Sequence, residues 1–276
     1  MKRRQYKTID ISVLKNKIRK GLFVVGTNAI CELIDSFHKY FDFIVLPENY
    51  RSRKIQDLVT RGLKYGVVIL FDDRILNFVN SLNIDESRIR SIVFLKTHIY
   101  KYYSLDEVYD LCKDKQFCIA VALYDIDYDQ NLGSILRTCA AFNADFVVVP
   151  NSQQRIFSPV VTRVSMGYNY LVPVVRENFL LAVDRLSKFG FNIVALDTGG
   201  ENIENVVYNN WTCFILGNEG NGMTDAVLRK SHLVARIPTS YVVESLNVTV
   251  SLGVALYDIN KKINELKREV SKNNSV

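Results

Sequence analysis

The stretch FCIAVALYDIDYDQNLGSILRTCAAFNADFVVV, residues 117–149, decides the fold. It opens on a continuous apolar run, residues 117–124, whose lack of polar alternation marks a strand buried on both faces. The polar loop DIDYDQNLG follows, then the helical stretch SILRTCAAF, where Ser134 has the chemistry of an N-cap. Residues 145–149 read as a second buried strand. Strand, helix and strand in this order form a βαβ unit with parallel strands.

The same grammar extends outward. Downstream, a helix over 179–189 leads into a strand over 191–196. A strand over 211–216 leads into the glycine-rich loop of FILGNEGNGM (214–223) and a helix over 224–231. A strand over 233–237, the loop PTSYVVES and a final helix close the chain. In that helix Val248, Leu252, Ala255, Leu256, Ile259, Ile263 and Leu266 recur at three- and four-residue steps and share one face. Upstream, short strands over 22–25, 43–46 and 67–70 alternate with helices over 29–37, 54–63 and 73–82. The polar and aromatic run THIYKYYS (97–104) has neither period. The expected organisation is a basic arm and small α/β domain over 1–95, a linker over 96–114, and a parallel-sheet α/β domain over 115–276 with helices on its faces.

With 276 residues, 48% hydrophobic and 23% charged, the chain can bury a substantial core. Its longest apolar runs, such as 67–71 and 117–124, fall far short of the roughly 18 residues a membrane span needs. The N-terminus is basic but has no apolar stretch of the secretory kind. Cys31, Cys112, Cys118, Cys139 and Cys213 are odd in number and scattered, as expected of thiols in a reducing compartment, so the cytoplasm is the expected location. The formal charge of +6 is uneven: residues 1–20 hold eight Lys/Arg and one Asp, leaving −1 for the remainder. Such an arm is either a solvated tail or a phosphate-tracking segment, and the charge run alone does not choose.

In open parallel sheets, ligands bind outside the carboxyl ends of the strands. Three loops there carry the candidate chemistry: DYDQNLGSILRT (127–138), LGNEGNGM (216–223) and IPTSYVVESLNVTVS (237–251). The glycine order in the second is G-x-x-G-x-G with Glu219 inside it. A dinucleotide loop has G-x-G-x-x-G and its acid about twenty residues further on, and a carboxylate inside the loop would repel pyrophosphate. No G-x-x-x-x-G-K-[ST] and no G-x-S-x-G occurs. His38, His98 and His232 stand alone in the sequence, and no cysteine pair has zinc spacing, so no metal is expected.

The three loops, in this order and spacing, resemble the motifs of the SpoU (TrmH-type) RNA 2′-O-ribose methyltransferases of the SPOUT superfamily. The first is similar to N-x-G-x-x-x-R through Asn131, Gly133 and Arg137. The second is similar to L-G-x-E-G-x-G through Leu216, Gly217, Glu219, Gly220 and Gly222. The third is similar to I-P-M-x-G-x-x-x-S-L-N-V-S-V through Ile237, Pro238, Ser245, Leu246 and Asn247. The resemblance spans about 117–259 and takes in Ser165-Met166-Gly167, which is similar to the family's S-x-G segment. GTNAICEL (26–33) is similar to the start of the small ribosomal-protein-like domain that many rRNA-modifying members carry.

The resemblance implies a C-terminal parallel-sheet domain with a trefoil knot and a homodimer with sites at its interface. S-adenosylmethionine is the implied cofactor, held mostly by main chain at Gly217, Ile237 and Leu246, with Leu216 and Asn247 beside them. The implied reaction is 2′-O-methylation of a ribose in rRNA, of the 23S type and at a guanosine. A tRNA ribose methyltransferase and a non-catalytic RNA-binding relative acting in ribosome assembly are the alternatives. Arg137 is the implied catalytic residue. A guanidinium with a pKa above about 12 is a poor base, so binding the phosphate beside the target ribose and stabilising the developing alkoxide suits it better. Asn131 and Asn247 would orient ribose and loops, and Glu219 and Ser245 would hold Arg137 and the knot. Two departures stand out: Tyr128-Asp129-Gln130 replaces the usual Asp-Pro before Asn131, and Tyr241 occupies a position where glycine is usual.

Overall fold

The computed structural model describes residues 9–84, 88–99, 101–153, 155–218, 220–240, 242 and 245–273, without the side chains of 98 and 269–273. The chain divides into two compact units, residues 1–100 with 155–170, and residues 101–154 with 171–276.

The first unit begins with α1 (Ile11–Arg19), capped by Asp10 accepting from the Ser12 amide. There follow β1 (Phe23–Val25), α2 (Thr27–Phe37), β2 (Phe41–Leu46), α3 (Arg53–Lys64), β3 (Val68–Phe71), α4 (Asp73–Ser81) and β4 (Ile92–Leu95). The sheet order is β1-β4-β2-β3; β4 runs antiparallel to both neighbours, and β2 and β3 are parallel. Sequence pattern alone did not single out α1 or β4. β4 is buried along its whole length and too short to show a period.

The second unit takes in α5 (Leu105–Cys112), β5 (Cys118–Leu123), α6 (Asp129–Ala141) and β6 (Phe146–Pro150). A Ser104–Glu107 capping box opens α5, placing a helix where an irregular linker was expected. After β6 the chain contributes residues 155–170 to the first unit, including α7 (Pro159–Val164). There Tyr170 donates to the Gly21 carbonyl at 2.6 Å, and buried Asn169 binds the Ile156 carbonyl and Thr162. Gly167, at φ +83, has no room for a Cβ, which would meet Val24 Cγ2 at 2.6 Å.

The second unit resumes with β7 (Val174–Glu177), α8 (Phe179–Lys188), β8 (Asn192–Asn202), β9 (Trp211–Leu216), α9 (Asp225–Leu228), β10 (Leu233–Arg236) and α10 (Val248–Asn273). Its six strands lie in the order β10-β8-β9-β5-β6-β7, every pair parallel, as the apolar runs predicted. Residues of β5, β6 and β9 are buried on both faces. From β5 the chain moves outward one way through β6 and β7, then crosses to the other side for β8, β9 and β10. The order therefore reverses between β5 and β9, and the crevice at their carboxyl ends is where such a sheet receives a ligand. No helix among the described residues is long and apolar enough to cross a membrane.

Candidate active site

The two strands flanking the reversal feed the first two loops. At their ends the Tyr124 amide donates to the Leu216 carbonyl at 2.8 Å. After β5, Asp125 turns the chain at φ +57, a conformation that aspartate tolerates better than most residues. α6 then starts at Asp129 with Tyr128 at the N-cap, and Asp129 in the first turn complements the helix dipole. Ser134, read as an N-cap, instead lies in the second turn. The polar run 129–133 looked like loop, but its Leu132 joins Ile135, Leu136 and Cys139 on the buried side.

Asn131 is therefore a first-turn residue, half-buried, while Arg137 sits a turn and a half later on the exposed side. The Arg137 side chain makes no hydrogen bond or ion pair with another described residue. A guanidinium so placed is available to an anionic ligand.

After β9, the chain makes a tight hairpin. Asn218 and Gly222 exchange backbone hydrogen bonds of 3.1 and 3.0 Å. A Cβ on Gly217 would come within 2.7 Å of the Gly222 carbonyl carbon, so only glycine permits this closure. Gly222 sits at φ +65. Leu216 is buried at the strand end. Glu219 lies outside the described residues, as does Tyr241.

The third loop ends at α10. Asn247 Oδ1 accepts from the Thr249 amide at 2.9 Å and the Asn247 carbonyl accepts from the Ser251 amide, so Asn247 is the N-cap. Ser245, expected to help hold Arg137 and the knot, is exposed two residues earlier. The Asn247 amide nitrogen donates to Asn131 Oδ1 at 3.2 Å. One side chain thus caps α10 and ties the third loop to the first. Leu246 is half-buried between Ser245 and Asn247. Ile237 and Pro238 border a cavity of about 470 Å³ with Ile203, Val254, Tyr257 and Lys261. Gly217, Leu216 and Leu246 do not line that cavity.

Two features escaped sequence reasoning. Asn218 binds the first loop to the second: its Nδ2 donates to the Asp125 carbonyl and to Asp127 Oδ2, both at 2.8 Å. Its Oδ1 accepts from the Gly220 and Asn221 amides at 2.8 and 3.0 Å. Nothing in the chain's pattern distinguishes it from a turn asparagine. The second is residues 196–200 at the carboxyl end of β8. Val234 pairs with Ala195 but the next residue, Ala235, pairs with Glu201, so five residues leave the ladder at the end where the three loops lie. Gly200 allows this, since its Cβ would meet the Val234 carbonyl oxygen at 2.4 Å. Its signal was the Gly199-Gly200 pair after an apolar run.

The SpoU rRNA methylase family model matches residues 118–257, just over half the chain and all three loops. The chain belongs to the SpoU rRNA methylase family. By that membership it is an RNA methyltransferase. It is similar to a putative TrmH family tRNA/rRNA methyltransferase of Bacillus subtilis, 26% identical over 245 residues that cover 88% of this chain and 96% of the relative. It is likewise similar to the 23S rRNA (guanosine-2′-O-)-methyltransferase RlmB of Coxiella burnetii, 27% identical over 87% of this chain and 95% of that one. An AdoMet-bound rRNA methyltransferase from Sinorhizobium meliloti shares the fold, with a TM-score of 0.68 at 17% identity over 93% of this chain and 97% of that one. So does an RNA 2′-O ribose methyltransferase, with a TM-score of 0.70 at 18% identity over 89% and 94%.

Proposed function

We propose that the chain transfers the methyl group of S-adenosylmethionine to a ribose 2′-hydroxyl of rRNA, of the 23S type and at a guanosine. The observation that carries the reading is the joining of all three loops beside the β5/β9 reversal, through Asn247 to Asn131 and Asn218 to Asp127. Family membership supports the reaction class, and the guanosine-specific 23S rRNA relative supports the substrate.

The loops suit S-adenosylmethionine better than a nucleotide phosphate. The glycine hairpin offers main-chain groups at close approach, in a chain with no P-loop lysine. Gly217, Ile237 and Leu246 would hold the cofactor through backbone groups, with Leu216 and Asn247 alongside. When bound, the cofactor supplies an electrophilic methyl group. The chain's own contribution is placement. Asn131 and Asn247, already joined, orient the ribose for in-line attack, which accounts for much of the acceleration. Arg137 binds the adjacent phosphate and stabilises the 2′-oxyanion as it forms, while that phosphate or a water takes the proton. Ser245 and Glu219 steady the loops around Arg137.

The loop between β9 and α9 and the loop before α10 would form the trefoil knot, and two copies would pair through α10. That helix buries Leu252, Ala255, Leu256 and Ile259 yet leaves Val250, Val254 and Tyr257 exposed at steps of four and three, a second apolar stripe suited to another copy. The basic N-terminal arm and the ribosomal-protein-like domain over 1–95 would track RNA phosphates. The five cysteines are thiols, which suits a cytoplasmic enzyme. Titration calorimetry with S-adenosylmethionine, followed by transfer from labelled cofactor to rRNA and tRNA transcripts, tests the reading. Cofactor binding with label entering rRNA is the expected result. Label entering tRNA alone would move the substrate to tRNA, and absence of cofactor binding would leave a non-catalytic RNA-binding protein.

A further inference from the structure

At the opposite end of β5 from the candidate site, two buried cysteines face each other. Cys112 is the last residue of α5 and Cys118 the first of β5, and the Cys118 thiol donates to Cys112 Sγ at 2.9 Å. The segment between them is held firmly: the Lys115 amide donates to the Cys112 carbonyl, and the Trp211 indole donates to the Lys115 carbonyl. Asp145 completes the group.

Two chemistries fit a pair of cysteines beside a carboxylate, and the distances separate them. Two thiolates on a tetrahedral zinc, each about 2.3 Å from the metal, lie about 3.8 Å apart. The observed 2.9 Å is much shorter. The carboxylate is also already engaged, Oδ1 by the Lys115 ammonium and Oδ2 by the Ile119 amide at 2.7 Å. A disulfide needs a sulfur–sulfur bond of about 2.05 Å, a further approach of under about 1 Å. We propose that Cys112 and Cys118 are a dithiol site that a small hydroperoxide converts to an intrachain disulfide.

The asymmetry of the pair sets the order of steps. The hydrogen bond from Cys118 lowers the Cys112 pKa, while the Cys118 thiol is held protonated. Burial pushes Cys139 up, and Cys213 up to about 12, leaving both as inert thiols. The Cys112 thiolate attacks the terminal O–H oxygen, the O–O bond breaks, and hydroxide leaves from hydrogen peroxide, or alkoxide from an organic hydroperoxide, giving a sulfenic acid at Cys112. The Cys118 sulfur then attacks that sulfur, hydroxide departs, and the Cys118 proton converts it to water. The two sulfurs give up two electrons in all, and the peroxide is reduced. Access comes through opening of the last turn of α5, whose Leu111 is 54% exposed. The crosslink lies a full strand length from the loops at the carboxyl end of β5, so oxidation leaves cofactor binding and methyl transfer unchanged. The site stands independently of the methyltransferase reading.

The test exposes the full chain to hydrogen peroxide, alkylates it under denaturing conditions and maps its peptides by mass spectrometry. The expected product joins the Cys112 and Cys118 peptides in a species lighter by two hydrogens. Two alkylatable thiols are lost, Cys139 and Cys213 keep theirs, and dithiothreitol restores the pair. Cys112→Ser and Cys118→Ser each abolish the link, and wild-type mapping stands even if a variant folds poorly. Cys112 and Cys118 remaining alkylatable after Cys31 is oxidised would overturn the proposal. So would crosslinks between chains, or one zinc bound per chain and lost in Cys112→Ser.

Discussion

The Arg137 side chain faces outward from α6 with no partner among the described residues. Most exposed arginines gain little from an ion pair, so the lack of one matters here for what it leaves available. Arg137→Ala should lower the rate of methyl transfer about 100-fold or more, the scale of losing one stabiliser of a developing oxyanion. Its affinity for S-adenosylmethionine should not change, which titration calorimetry checks. Asn218 is a different case, because its side chain uses all its bonding capacity between two loops. Asn218→Asp keeps the acceptor for Gly220 and Asn221 but sets a carboxylate against Asp127. Cofactor affinity should fall about tenfold, equivalent to about 1.4 kcal/mol. Adding Asp127→Asn restores a donor–acceptor pair in reverse, and affinity should recover in part; a double variant no better than the single would show that the contact does not hold the site. Residue type and spacing put Asn131 and Asn247 in one motif set, and the structure joins the two side chains, with Arg137 on the same helix as Asn131. Asn218 was not legible in the sequence, since its role depends on Asp125 and Asp127 arriving beside it from another strand.

Among the elements, the strands of the second sheet were the most legible, because burial on both faces writes itself as an unbroken apolar run. Helix starts were less so. α6 begins five residues before Ser134 because Tyr128 takes the N-cap position without a side-chain cap, leaving no local signal. α10 begins at Val248 because Asn247, rather than Ser245, accepts from the Thr249 amide. The hairpin after β9 depends on one glycine. In Gly217→Ala the new methyl meets backbone at 2.7 Å, where nothing flexible can yield. Thermal or denaturant unfolding should register a loss of about 1–3 kcal/mol, the usual range for overpacking, together with weakened cofactor binding.

At the scale of the molecule, one sheet contributes the site and the other forms a separate unit completed by residues 155–170. That excursion was invisible in the sequence. The Ser165-Met166-Gly167 segment read as part of the C-terminal domain, whereas Gly167 packs against Val24 and Leu33. The apolar stripe of Val250, Val254 and Tyr257 belongs to this scale too, since the described residues leave all three exposed. Tyr257→Glu places a charge on a surface that is 63% exposed in one copy, so folding should be unaffected. Light scattering should then report a monomer where the unaltered chain gives a dimer, and an unchanged dimer would move the interface elsewhere.

The central claim is that this chain methylates a ribose 2′-hydroxyl in rRNA, and the product itself gives the most direct test. A 23S-type transcript incubated with enzyme and S-adenosylmethionine is cleaved with alkali, which cannot cut after a 2′-O-methylated nucleotide. A single new gap in the cleavage ladder, at a guanosine and absent with Arg137→Ala, is the predicted result. An unbroken ladder from an enzyme that binds the cofactor, or label recovered on a base rather than a ribose, would contradict it.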